Sequence, residues 1–117
     1  MVASSIAACN YSRSLQDLER FEEGKSLLRK SIPVARRVRG ENDEITLKMR
    51  SLYAKGLYED AGATLDDLRE SVTTFEDVER TTRRIFGGAH PLVGGIARDL
   101  QGARAALRAR ETPQEGA

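Results

Sequence analysis

The chain has 117 residues, of which 39% are hydrophobic and 32% charged, and its formal net charge at pH 7 is +1. This length is enough for one domain with a modest core, and a near-neutral charge provides no global field that would draw the protein to nucleic acid or to a membrane surface. Ala, Leu, Arg and Glu dominate the composition. Because all four are strong helix formers, they predict an all-α protein.

The chain contains a single cysteine, Cys9, which excludes an internal disulfide. A lone cysteine favours a reducing compartment, so we expect a cytoplasmic protein. No apolar run in the sequence approaches the roughly 20 residues that span a bilayer, so we expect no membrane partner.

The first predicted helix covers about residues 3–18, where Ile6, Tyr11, Leu15 and Leu18 are spaced for one buried face. The small residues at positions 2–9 faintly resemble a lipoprotein cleavage box but lack a basic leader. We interpret them as a helix face that packs closely on a neighbour. A tight turn is expected near Glu19.

The second predicted helix runs from Phe21 to Arg39, with acidic residues in its first turn and basic residues in its last, the order that the helix dipole favours. Pro33 lies inside this run. Because proline removes a backbone donor and clashes with the preceding turn, we expect a kink there or two helices that meet at Ser31. Gly40 is the expected left-handed stop.

The third predicted helix begins after Asp43, a good N-cap residue, and extends to about Glu59. A turn over residues 60–63 follows, and Thr64 then caps a long fourth helix. Asp67, three residues later, completes a variant of the capping box. Gly87 is expected to end this helix.

The fifth predicted helix starts at Pro91, which is well suited to a first turn, and continues to about residue 108. His90 is interpreted as a linker residue that caps this helix. Residues 111–117 are predicted to form a disordered tail, and no segment shows strand alternation between hairpin turns.

Two glycine linkers repeat at a spacing typical of stacked helices, since Gly87 follows Gly40 by 47 positions. The segment Arg20-Phe21-Glu22-Glu23-Gly24 and the linker Gly87-Gly88-Ala89-His90-Pro91 resemble a tetratricopeptide repeat of the kinesin light chain type. That pattern has a Gly-x-Tyr-Glu-Glu-Ala turn and a Gly-x-x-His-Pro linker. The resemblance implies a short right-handed α-solenoid over residues 1–110, with antiparallel pairs at about 3–39 and 44–86 and a closing helix at 91–108.

The resemblance further implies a groove lined by the first helix of each pair, where this family holds peptides. Asn10 matches a position at which the family often has a backbone-binding Asn, and the corresponding later positions are Leu52 and Asp99. Helical spacing places three basic residues on or near the same face. The predicted groove residues are therefore Asn10, Arg13, Lys48, Leu52, Lys55 and Asp99.

These features favour a non-enzymatic protein-interaction module that binds a peptide or helix, with an acidic segment as the expected partner. We expect no cofactor, metal or catalytic site, because no Cys, His, Asp and Glu cluster has ligand spacing. One alternative is a structural subunit that self-associates through the ends of the stack. Another is a nucleic-acid-associated protein that uses the basic run 25–39, which is weakened by the lack of interleaved aromatic residues.

Overall fold

The computed structural model describes residues 4–112 and confirms an all-α fold in that part of the chain. Its five helices closely follow the predicted segments. They are α1 (Ser5–Asp17), α2 (Phe21–Arg39), α3 (Glu44–Glu59), α4 (Leu65–Phe86) and α5 (Pro91–Glu111).

The helix starts depend on side chains that accept hydrogen bonds from otherwise unpaired backbone N–H groups. Asp43 accepts from the Ile45 N–H, and His90 accepts through Nδ1 from the Leu92 N–H. Thr64 and Asp67 form both halves of a capping box. The predicted caps of α3, α4 and α5 are therefore confirmed.

The helix ends depend on residues that can reverse the chain. Gly40 and Gly87 have positive φ angles of 102° and 87°, which residues with a Cβ rarely adopt. Glu19 also has a positive φ, 59°, at the predicted turn between α1 and α2. These positions explain why α1, α2 and α4 end where they do.

Two predicted boundaries differ from the structure. Helix α2 continues through Pro33 as one helix, so the division at Ser31 is wrong. Leu28 and Ala35 are buried on either side of the proline. Their packing stabilises the helix although Pro33 lacks the backbone N–H that would donate a hydrogen bond within it. Helix α5 continues to Glu111, beyond the predicted end at 108, and Thr112 caps it. Residues 113–117 of the predicted tail lie outside the described residues.

Helix α3 is the centre of the fold, because it contacts each of the other four helices. One core cluster joins α3 to α1 and α2 and includes Leu28 and Met49. A second cluster joins α3 to α4 and α5 and includes Leu47 and Phe75. The two halves of the protein are therefore held together through opposite sides of one helix.

The predicted buried face of α1 is largely wrong. Leu15 is buried, but Tyr11 and Leu18 are 58% and 66% exposed, and Ile6 is also exposed. The buried residues of α1 are mostly small or polar: Ala8, Cys9, Ser12, Leu15 and Gln16. Small side chains let α1 approach its neighbours closely, as expected for residues 8 and 9.

Candidate functional site

Two grooves lie on opposite sides of α3. In the described residues, α1 and α5 both contact α3 but not each other, and the same holds for α2 and α4. The gap between α1 and α5 is called the α1/α5 groove, and the gap between α2 and α4 the α2/α4 groove. Lys48 and Lys55 of α3 line the first, and Arg50 and Tyr53 line the second.

 The α1/α5 groove brings together five of the six predicted groove residues around a cavity of about 210 Å³. The cavity in the α1/α5 groove is lined by residues of α1, α3 and α5. The predicted residues that line it are Arg13, Lys48, Leu52, Lys55 and Asp99. Its remaining lining comes from α3 and α5: Ser51, Pro91, Leu92, Gly95 and Ile96.

The basic and the acidic side chains that line the α1/α5 groove differ in whether they have a bonding partner. Within residues 4–112, neither Arg13, Lys48 nor Lys55 forms an ion pair. The one lining carboxylate, Asp99, accepts a hydrogen bond of 3.0 Å from the Tyr58 hydroxyl. Burial and the charge of Asp99 both raise the pKa of Tyr58, which keeps this hydroxyl protonated and donating.

Glu59, in the last turn of α3, lies near the α1/α5 groove but does not line its cavity. Partial burial raises the pKa of Glu59, Lys55 partly offsets this effect, and the nearby charges of Asp99 and Asp17 raise the pKa further. Glu59 therefore lies near one lysine and two carboxylates at this end of α3.

Two residues of α1 that the sequence singled out, Asn10 and Cys9, do not line this cavity. Asn10 is exposed and is not among the lining residues of the cavity, so the predicted set is incomplete at that position. Cys9 is buried, and burial raises the pKa of its thiol, although Arg13 and Lys48 partly oppose the effect. A thiol held in the protonated form is a poor nucleophile.

The α2/α4 groove was not predicted from the sequence. It contains a cavity of about 270 Å³, and three of its lining residues are arginines from α2 and α3. Glu70 and Thr74 of α4 form the opposite wall. The complete lining is Arg29, Ile32, Pro33, Arg36, Arg50, Tyr53, Glu70 and Thr74.

Each arginine of the α2/α4 groove is oriented by one neighbouring group. Arg29 donates from Nε to the Tyr53 hydroxyl at 3.3 Å, and its guanidinium lies 5.8 Å from the centre of that ring. Arg50 donates from Nη2 to Asp77 at 2.8 Å. Arg36 Nε lies 2.9 Å from a carboxylate oxygen of Glu41. Because a guanidinium carries five donors, each arginine keeps other N–H groups for a ligand.

The basic run 25–39 does not form one exposed surface. Lys25 is only 4% exposed and lies 2.9 Å from Glu22 and 3.4 Å from Asp60. Burial alone would lower the pKa of Lys25, but the hydrogen bonds and charges of Glu22 and Asp60 outweigh it and raise the pKa. Arg39 pairs with Asp43 at the end of the same helix. The basic residues of α2 are thus divided between the core, the α2/α4 groove, a local ion pair, and the exposed side of the helix, where Lys30 and Arg37 lie.

A scan against protein-family models and searches of curated proteins and of solved structures found no match for this chain. Among the described residues, no helix is both long enough and apolar enough to cross a membrane. Residues 4–112 also contain no group of three or more His, Cys, Asp and Glu side chains that could hold a metal ion.

Proposed function

We propose that the chain is a non-enzymatic protein-interaction module, built as a short tetratricopeptide-like solenoid, whose α1/α5 groove binds an acidic peptide or helix of a partner protein. The order of helix contacts supports the solenoid arrangement. Each helix packs on the next in the chain, and α3 also contacts α1 on one side and α5 on the other. Stacked antiparallel helix pairs give this pattern of neighbours.

The observation that carries the proposal is the combination of free positive charge with apolar surface in one groove. Arg13, Lys48 and Lys55 line the same cavity as the apolar side chains of Leu52 and Leu92. Lysines that are partly exposed and have no ion pair are free to pair with carboxylates of a ligand, while apolar contacts supply most of the binding energy. An amphipathic segment with acidic flanks meets both requirements.

The size of the cavity favours a side-chain anchor over a drug-sized molecule. Its volume of about 210 Å³ is below the range of roughly 300–1,000 Å³ that is usual for small-molecule sites. One large apolar side chain of a partner would occupy it, and the rest of the partner segment would follow the open groove along α3.

The test is fluorescence anisotropy with a labelled amphipathic helical peptide of about 15 residues, carrying a leucine stripe flanked by glutamates. Its control is the same peptide with glutamine in place of glutamate. We expect the full chain to bind the acidic peptide more tightly, with affinity that falls as salt is added. The double variant Lys48→Glu with Lys55→Glu should lose about tenfold or more in affinity, since two favourable charge contacts become repulsive.

The matched control is Lys30→Glu with Arg37→Glu, which changes the net charge equally on the exposed side of α2. This variant should bind the acidic peptide as the unmodified chain does. Equal loss in both double variants would mean that only the overall charge matters, and the proposal of a defined groove would then be wrong.

The second candidate function is self-association through the first helix pair. Tyr11 and Leu18 are exposed and lie seven positions apart, on one side of α1. Because exposed apolar groups of this size mark interaction surfaces when they cluster, light-scattering mass should be measured against concentration. An oligomer that Lys48→Glu with Lys55→Glu leaves intact would favour this function, whereas a monomer at every concentration would contradict it.

A further inference from the structure

The α2/α4 groove has the charge and the donors of an oxyanion site. Three guanidiniums and one carboxylate line it, and the carboxylates of Glu41 and Asp77 pair with Arg36 and Arg50. Several guanidinium donors in one cavity suit a phosphate monoester, which carries close to two negative charges near pH 7. Arg29 and Arg36 lie seven positions apart on α2 and therefore on one face of the helix. Arg50 approaches from α3, so the donors come from two directions.

The arginines are held in place before any ligand binds. Arg50 is anchored by Asp77, and Arg29 by Tyr53. Ordering these long side chains in advance lowers the entropic cost of binding, and planar guanidiniums suit the geometry of phosphate oxygens. Because the Tyr53 hydroxyl accepts from Arg29, its own proton remains available to donate to a bound oxygen.

Glu70 determines the kind of phosphate compound that fits. In the described part of the chain Glu70 forms no ion pair with the arginines that line the groove, so its carboxylate is free to accept hydrogen bonds. A carboxylate repels phosphate but accepts from hydroxyl groups. Thr74 lies on the same wall. A ligand with a phosphate at one end and hydroxyls at the other satisfies both ends of the cavity.

We propose that the α2/α4 groove binds a small phosphate monoester that carries hydroxyl groups, such as a phosphorylated polyol. The cavity of about 270 Å³ is close to the lower limit of roughly 300 Å³ for small-molecule sites, so the ligand is small. The α2/α4 groove lies on the other side of α3 from the α1/α5 groove, and the proposals for the two grooves do not depend on each other.

The test is isothermal titration of the full chain with glycerol phosphate, with glycerol, and with a phosphoserine peptide. We expect glycerol phosphate to bind with a dissociation constant below about 1 mM and glycerol not to bind. Arg29→Gln and Arg36→Gln should each weaken binding about tenfold, since each removes a charged donor from the ligand. Glu70→Gln should tighten the binding of inorganic phosphate severalfold, because it removes a like charge.

The matched control is Arg37→Gln, which removes an exposed guanidinium of α2 that does not line the groove. Its affinity for glycerol phosphate should equal that of the unmodified chain, and circular dichroism should show all variants equally folded. Equal weakening in Arg37→Gln and Arg29→Gln would overturn the site. Binding of the phosphoserine peptide without binding of glycerol phosphate would overturn the small-molecule ligand.

Discussion

The two grooves on either side of α3 use positive charge in different ways. In the α1/α5 groove, two of the three cations are lysines, and within residues 4–112 none of the three has an ion pair. In the α2/α4 groove all three are arginines, each held by a tyrosine or a carboxylate. Lysines on flexible stems adapt to varied carboxylates, whereas oriented guanidiniums fit a defined oxyanion. Under the two proposals, cations that are held differently would therefore select different ligands.

The grooves nevertheless share their support, because the same central helix forms the floor of both. Phe75 of α4 packs edge-on against Tyr58 of α3, with ring centres 6.0 Å apart. Tyr58 in turn donates to Asp99 of α5. Phe75 of α4 is thus connected, through Tyr58, to Asp99 in the lining of the α1/α5 groove.

The largest expected effect is that of Phe75→Ala. Phe75 is fully buried, so its removal leaves a cavity between α3 and α4 and should lower the free energy of unfolding by about 3–5 kcal/mol. Urea denaturation followed by circular dichroism measures this loss. Phe86→Ala, at a position 37% exposed, is the control and should cost much less. A loss in Phe75→Ala no larger than in the control would show that the two grooves do not share this support.

Much of the fold could be predicted because it depends on local chemistry. Asp43, Thr64 and His90 begin helices through contacts within three residues, and Gly40 and Gly87 end them through backbone freedom. The lining of the α1/α5 groove was also largely anticipated, since Lys48 and Lys55 lie on one face of a single helix. Asn10, which the sequence also assigned to this groove, is exposed and does not line the cavity, and the rotation of α1 that sets its direction depends on tertiary packing.

A smaller effect is expected for Asp77→Asn, which removes the carboxylate that anchors Arg50. The hydrogen bond from Arg50 holds the pKa of Asp77 below its ordinary value, partial burial opposes this, and Arg80 adds to it. Asp77 is nearly half exposed and is therefore screened by water, so we expect a loss of about 1 kcal/mol at pH 7.

The lowered pKa of Asp77 also predicts how the difference in stability between Asp77→Asn and the unmodified chain changes with pH. Because the folded-state pKa of Asp77 is lowered, its stabilisation is complete above the unfolded value of about 4 and is lost as the pH falls through the folded value. Urea midpoints of Asp77→Asn and the unmodified chain should therefore converge below about pH 4. Asp66→Asn, at an almost fully exposed position of the same helix, should not differ from the unmodified chain at either pH. A difference at Asp77 that persists in acid would contradict the ion-pair explanation.

The α2/α4 groove could not be predicted, because its residues come from three helices and its contacts span long distances in the chain. Arg50 and Asp77 are 27 positions apart, and Arg29 and Tyr53 are 24 apart. Helical spacing alone gives no information about which neighbour a long side chain reaches. The buried face of α1 was predicted wrongly for a related reason. Close packing against the neighbouring helices places small residues such as Ala8 in the interface and leaves the larger Tyr11 exposed.

The smallest expected effect is a gain in stability from Thr46→Val. Thr46 is fully buried on the same face of α3 as Arg50 and Tyr53, and its hydroxyl has no hydrogen-bond partner within residues 4–112. An apolar group of the same shape removes the cost of burying that hydroxyl, so stability should rise by about 0.5–1 kcal/mol. Thr82→Val is the matched control, because Thr82 is equally buried but donates to the Val78 carbonyl at 2.7 Å. Thermal unfolding should separate the two variants, and equal destabilisation of both would mean that the Thr46 hydroxyl is bonded. Thr46 does not line the cavity of the α2/α4 groove, so Thr46→Val should bind glycerol phosphate as tightly as the unmodified chain does. This result would distinguish the polar groups that form the proposed site from a polar group that is only buried near it.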